Sequence, residues 1–101
     1  MEKRRPHHSL AVVQQLAADP ARIRFTKSAL DGAAELQFDT KMMRAVVTEL
    51  QRKDFYKSMT THANSAIWQD VYRPTVHGVQ LYVKLTLYAA ENLLVVSFKR
   101  R

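Results

Sequence analysis

Cysteine is absent from this 101-residue chain, which removes disulfides, thiolate metal sites and cysteine nucleophiles together. Only two glycines are present, Gly32 and Gly78, too few for a P-loop or for the glycine fingerprint of dinucleotide binding. Carboxylates are scarce in the second half, where residues 51–101 hold Asp54, Asp70 and Glu91 alone. Metal-assisted phosphate chemistry usually needs clustered acids. The histidines His7, His8, His62 and His77 show no i, i+4 spacing, so no helical zinc pair is encoded. No strand–turn–helix nucleophile elbow surrounds any serine. Apolar runs extend only a few residues, so no membrane span is expected. The charged start, residues 1–8, leads into no apolar stretch, so no secretory signal is expected either. The expectation is a protein without metal or cofactor, in the reducing cytoplasm.

What is present is an apolar share of 47%, enough for a core in one domain spanning residues 1–101. The formal net charge is +7. Residues 1–50 carry eight Lys/Arg against six Asp/Glu, and residues 51–101 carry eight against three. The excess favours a polyanionic partner such as RNA, although charge also serves solubility alone.

Along the chain, Ser9 is placed to cap a helix running to about residue 18, with Leu10, Val13, Leu16 and Ala17 on one face. Asp19-Pro20 ends it, because the residue before a proline avoids the helical region. Residues 23–26 suit a short edge strand. Thr26 caps a brief helix through residue 30, with Asp31-Gly32 interrupting or ending it. Asp39 caps the clearest helix, where Met42, Met43, Val46, Val47 and Leu50 form an apolar stripe and Lys41, Arg44 and Thr48 face away. From Asp54 onward the period changes from 3.6 to 2. Residues 55–61, 66–73, 79–88 and 93–99 read as four strands with short, mostly antiparallel connections. The expected class is therefore α+β, with N-terminal helices packed on one face of a mostly antiparallel C-terminal sheet.

The last two strands carry the most information. A hairpin about residues 89–92 sets Leu87 against Leu94, Leu85 against Val96 and Val83 against Phe98 on an apolar face, and that face fixes the register. The other face then pairs Tyr82 with Lys99 and Lys84 with Ser97, roughly 5 Å apart at Cβ. Lysine, tyrosine, glutamine and arginine suit one reaction well. Cleaving RNA through its own 2′-hydroxyl needs no enzyme nucleophile. The protein orients the hydroxyl, neutralises charge growing on the phosphate and helps the 5′-oxygen leave. Tyrosine, with an ordinary pKa of about 10, becomes a usable base only beside groups that lower it, and flanking lysines are such groups. Plainer roles compete. Exposed lysines protect sheet edges, tyrosines are good strand formers, Trp68 reads as core rather than a stacking platform, and His7 and His8 read as surface residues. A non-catalytic module binding RNA or DNA on the same face, with Tyr82 and Tyr88 as stacking surfaces, is the rival class.

The segments Asp54-Phe55-Tyr56-Lys57-Ser58-Met59-Thr60-Thr61 and Ile67-Trp68-Gln69-Asp70-Val71-Tyr72-Arg73-Pro74 closely resemble the motility quorum-sensing regulator (MqsR) toxins, a bacterial toxin–antitoxin family. The likeness begins at Met1-Glu2-Lys3-Arg4 with Pro6-His7, resumes at Ser28-Ala29-Leu30 and closes with Val95-Val96-Ser97-Phe98-Lys99. It implies a RelE-like fold and a metal-independent endoribonuclease that cuts messenger RNA at GC-containing triplets such as GCU. It implies neutralisation by a cognate antitoxin, MqsA, which binds zinc and carries a helix-turn-helix part, so that DNA is met only through the antitoxin. A co-regulator acting only through that antitoxin is the corresponding non-enzymatic alternative. The active-site residues implied are Lys57, Gln69, Tyr82 and Lys99, and Arg73, Lys84, Tyr88 and Arg100 are expected to assist RNA binding.

Two of those four share the hairpin register. A four-residue loop at residues 74–77 would set Gln69 opposite Tyr82 and Trp68 opposite Val83. It would also send Asp70 inward against Leu81, where it needs a hydrogen-bond partner such as a backbone amide. Lys57 shares strand parity with Phe55 and Met59, so the sequence does not place it. The connection at 89–92 and the basic tail depart from the family pattern.

Overall fold

The computed structural model describes residues 1–89 and 91–101, so the connection expected at 89–92 lies partly outside the described residues. The elements run β1 (Glu2–Lys3), α1 (Leu10–Ala17), β2 (Ile23–Phe25), α2 (Lys27–Glu35), α3 (Thr40–Thr48), a 3₁₀ turn (Arg52–Asp54), β3 (Phe55–Thr60), β4 (Trp68–Tyr72), β5 (Thr75–Val76), β6 (Val79–Tyr88) and β7 (Asn92–Arg100). The sheet order is β1-β3-β4-β6-β7-β2, with β5 added to β6. Among the described residues every pairing is antiparallel except β2 with β7. The α+β expectation holds, with helices on one face of a mostly antiparallel sheet. β1 and β5, two residues each, carry no sequence period long enough to read.

Among the described residues, α1, α2 and α3 each start where a side chain can accept from an otherwise open amide. Ser9 accepts from the Val12 amide, Thr26 from Ala29 and Asp39 from Met42, as helix N-termini require. Arg44, expected to face solvent, instead donates to the Ala17 and Ala18 carbonyls that end α1. Gln14 of α1 returns the contact by donating to Thr48 and Leu50 at the end of α3. Each helix thus closes the other's open carbonyls. The expected break at Asp31-Gly32 does not occur, and α2 runs through Gly32 to Glu35. A Cβ at Gly32 would collide with the Phe98 carbonyl oxygen, so glycine is there to let α2 lie directly against β7.

The core joins Val13, Ala17, Met43 and Val47 of the helices to Tyr72, Leu81, Val83, Leu85, Leu93, Val95 and Phe98 of the sheet. The hairpin register is as expected at Tyr82–Lys99, Val83–Phe98 and Lys84–Ser97, then slips by one residue. A bulge leaves Leu85 opposite Val95 and Leu87 opposite Leu93, not Val96 and Leu94. The bulge reconciles the two apolar sets, since Leu93, Val95 and Phe98 can all be buried only if one extra residue lies between Val95 and Phe98. The turn before β6 is also tighter than expected. His77 and Gly78 both have positive φ, at 51° and 77°, and Val76 pairs with Val79 around them, the geometry of a two-residue hairpin turn.

Candidate active site on the outer sheet face

Paired residues share a face, so the register alone defines the surface opposite the helices. One row across it reads Lys57–Val71–Lys84–Ser97, and the neighbouring row holds Tyr82–Lys99. Val71 is fully buried although it stands on this face, outside the helix-side core. Its partners in the row are Lys57 and Lys84, and lysine stems can cover apolar surface. Lys99 Nζ lies 5.2 Å from the centre of the Tyr82 ring, so the phenol and the ammonium point to the same side of the sheet.

Lys57 reaches this face through a second bulge. Phe55 pairs with Tyr72 and Lys57 with Val71, leaving Tyr56 as the extra residue. Tyr56 and Lys57 therefore both face outward. That feature breaks the alternation the sequence argument relies on, which is why Lys57 could not be placed. The Tyr56 ring lies 3.8 Å from the Arg73 guanidinium carbon, 5.9 Å from that of Arg4 and 5.4 Å from Lys57 Nζ. Sequence reasoning missed this aromatic platform. Its signal was a tyrosine directly beside the candidate lysine.

The electrostatics differ from one lysine to the next. Lys57 Nζ donates to Glu2 Oε2 at 2.8 Å. That bond raises the lysine pKa above its ordinary value, while burial works the other way, and it lowers that of Glu2. Lys84 is pushed below the usual lysine range, first by burial and then by the charges of Lys99 and Lys57. A cation whose ammonium form is disfavoured is closer to proton transfer near neutrality.

The remaining expected residues are placed less favourably. Gln69 does not stand opposite Tyr82. The β4–β6 register matches Asp70 with Leu85 and Tyr72 with Val83, four residues from the expected alignment, because β5 and its tight turn occupy the span read as a loop. Gln69 does face outward, beside Met59, but on the far side of the Lys57–Lys84 row, roughly 13 Å along β6 from Tyr82 at the usual strand rise. Tyr88 shares the outer face by alternation but sits at the far end of β6, exposed. Arg100 pairs with the core residue Leu81, so its register assigns it to the opposite face from Lys99. Arg73 contributes through Tyr56, as given above. Trp68, expected in the core, is half-buried on the helix side, under His7 at 5.4 Å between ring centres and under Lys3 Nζ at 4.2 Å. Asp70 is fully buried and has the partners it needed: it accepts from the His7 and His8 amides and from Ser58 Oγ.

Among the described residues no three His, Cys, Asp or Glu side chains converge as metal ligands, and no helix is long and apolar enough to cross a membrane. A sequence model of the family described as "Motility quorum-sensing regulator, toxin of MqsA" matches residues 5–100. The chain is also 46% identical over 101 residues to the mRNA interferase toxin MqsR of Escherichia coli (strain K12), covering the full length of both.

Proposed function

The chain belongs to the motility quorum-sensing regulator toxin family, and from that premise we propose that its outer sheet face cuts messenger RNA through the RNA's own 2′-hydroxyl. It is the toxin of a toxin–antitoxin pair and an endoribonuclease. The observation that carries the site is the registered Tyr82–Lys99 pair, with Lys99 Nζ 5.2 Å from the ring, on the same face as Lys57 and Lys84.

In this mechanism the scissile phosphate sits over Lys57, Lys84 and Lys99. The 2′-oxygen bonds to phosphorus as the bond to the 5′-oxygen breaks, leaving a 2′,3′-cyclic phosphate and a free 5′-hydroxyl. One proton leaves the 2′-hydroxyl and one arrives at the 5′-oxygen. Tyr82 and Lys84 are the groups placed to carry them, the latter because its ammonium is already disfavoured. Lys57 and Lys99 stabilise the charge on the non-bridging oxygens, taking the part a divalent ion plays elsewhere, so the reaction runs without metal. The Tyr56 ring, braced by Arg73, is a stacking surface for a flanking base. Gln69 lies too far along the face for the same phosphate and reads a neighbouring nucleotide, which suits a preference for GC-containing triplets such as GCU. The partner that restrains the toxin in the bacterial cytoplasm is an MqsA-type antitoxin with a zinc site and a helix-turn-helix part, through which alone DNA is approached.

Incubation of purified protein with total messenger RNA in EDTA tests this. Cleavage to 2′,3′-cyclic phosphate ends is expected, falling by about 10²–10³ in Tyr82→Phe by analogy with a lost transition-state donor. Mapping the cut sites then gives the triplet. Intact RNA with only a salt-dependent mobility shift would overturn the enzymatic reading.

A further inference from the structure

On the helix side, away from the outer face, a cavity of about 540 Å³ opens between the N-terminal arm, the start of α1 and the 3₁₀ turn. Its volume is within the range of small-molecule sites. None of the described residues that line it is acidic. Arg5 and Arg52 stand on its walls, and the first residues of α1, Leu10 and Ala11, form its rim. In that eight-residue helix Ser9 serves the Val12 and Val13 amides, and those of Leu10 and Ala11 take no partner among the described residues. Open amides at a helix start favour an anion.

A second observation points the same way. Tyr72 lines this cavity, is fully buried, and its Oη has no hydrogen-bond partner among the described residues. A buried hydroxyl left unpaired is costly and rarely tolerated without a role. Burial, with help from Asp70, pushes its pKa up to about 12 against the opposing pull of Arg52, so the hydroxyl keeps its proton and can donate it to an acceptor. Asp70 lies near Tyr72, but its oxygens are already taken by the His7 and His8 amides and by Ser58.

We propose that this cavity binds the phosphate group of a nucleotide-sized ligand, held by Arg5, Arg52 and the Leu10 and Ala11 amides, with Tyr72 Oη donating to it. The site is larger than a bare phosphate needs, and Pro6 and Leu10 offer apolar wall for the remainder. The inference is independent of the ribonuclease reading and concerns the opposite side of the sheet.

Titration of the ¹⁵N-labelled protein with inorganic phosphate, then with AMP, tests it. Saturable shifts of the Leu10 and Ala11 amides are expected with both. Tighter binding of AMP than of phosphate is expected, and equal binding of the two would overturn the nucleotide-sized ligand. Arg52→Ala, at an exposed position, should weaken binding roughly tenfold or more, as loss of a charge-assisted contact does. Tyr72→Phe should weaken it about threefold to tenfold. Absence of saturation, identical shifts with chloride at matched ionic strength, or unchanged affinity in both variants would overturn the proposal.

Discussion

On the outer face of the sheet Glu2 meets Lys57 at 2.8 Å, with about half of the glutamate side chain exposed. On the helix face Asp70 is fully buried and accepts from the amides of His7 and His8 at 3.0 and 2.9 Å and from Ser58 Oγ at 2.6 Å. Both carboxylates tie the N-terminal arm to β3 and β4, one from each side. Their surroundings give them opposite roles. A buried acceptor serving three donors is structural, because removing it leaves the Ser58 hydroxyl unpaired in the interior and frees two part-buried amides. An exposed ion pair contributes little to folding, and what it changes is the availability of Lys57. With the site proposed on the outer face, the two faces divide stability from chemistry, and variants on each should separate the two quantities.

The largest effect belongs to the buried anchor. Asp70→Ala should lower stability by about 3 kcal/mol or more, from the unpaired amides and hydroxyl it leaves, read as a fall in the urea midpoint at unchanged slope. A loss as small as that of an exposed pair would erase the distinction between the faces. Lys57→Ala should behave in the opposite way, with RNA cleavage down by about 10²–10³ and a melting curve close to that of the parent. Next comes Lys84→Met, which should lose RNA cleavage yet gain stability of up to about 1 kcal/mol at neutral pH. The folded state disfavours the charged lysine, so the parent carries a penalty that disappears as pH rises from the lowered folded value toward the ordinary lysine value. The advantage of the variant should shrink over that same alkaline range. Glu2→Gln should leave melting unchanged within error and strengthen RNA binding, because Lys57 no longer has a carboxylate to leave.

The extent to which this arrangement is legible in the sequence follows from where alternation is unbroken. Val79–Tyr88 alternates without interruption, so its bounds and the Tyr82–Lys99 pairing are readable from composition along the strand. The capping residues Ser9, Thr26 and Asp39 are readable because each offers a short oxygen ahead of an apolar stripe. Three other features are not. The bulges at Tyr56 and between Val95 and Phe98 add a residue without any turn signal. The β4–β6 alignment depends on a two-residue turn at His77-Gly78 placed after a proline, where a plain loop fits the sequence equally well. Gly32 reads as a helix stop in one dimension, and only the closeness of β7 shows that it is a packing requirement. The family likeness supplied Lys57 and Gln69. The register then separates Gln69 from Tyr82, a distance that no pattern along one strand encodes.

The smallest effect sharpens the comparison at the arm itself. His7 Nδ1 accepts from Lys3 Nζ at 2.8 Å, an arrangement that needs that nitrogen unprotonated, and its ring stacks on Trp68. Burial, then the charges of Lys3 and His8, hold its pKa below the usual imidazole value, with Asp70 pulling the other way. Below about pH 6.5, the ordinary histidine value, the unfolded chain takes up a proton that the folded arm resists, so this contribution falls as pH falls. Exposure of His7 keeps the effect small. Trp68 is the only tryptophan, so its fluorescence reports the arm directly. On acidification from neutral pH its emission should change in the parent before global unfolding and stay flat in His7→Gln. Superimposable titrations would show that Lys3 and His7 add nothing to the helix-face anchor that Asp70 provides.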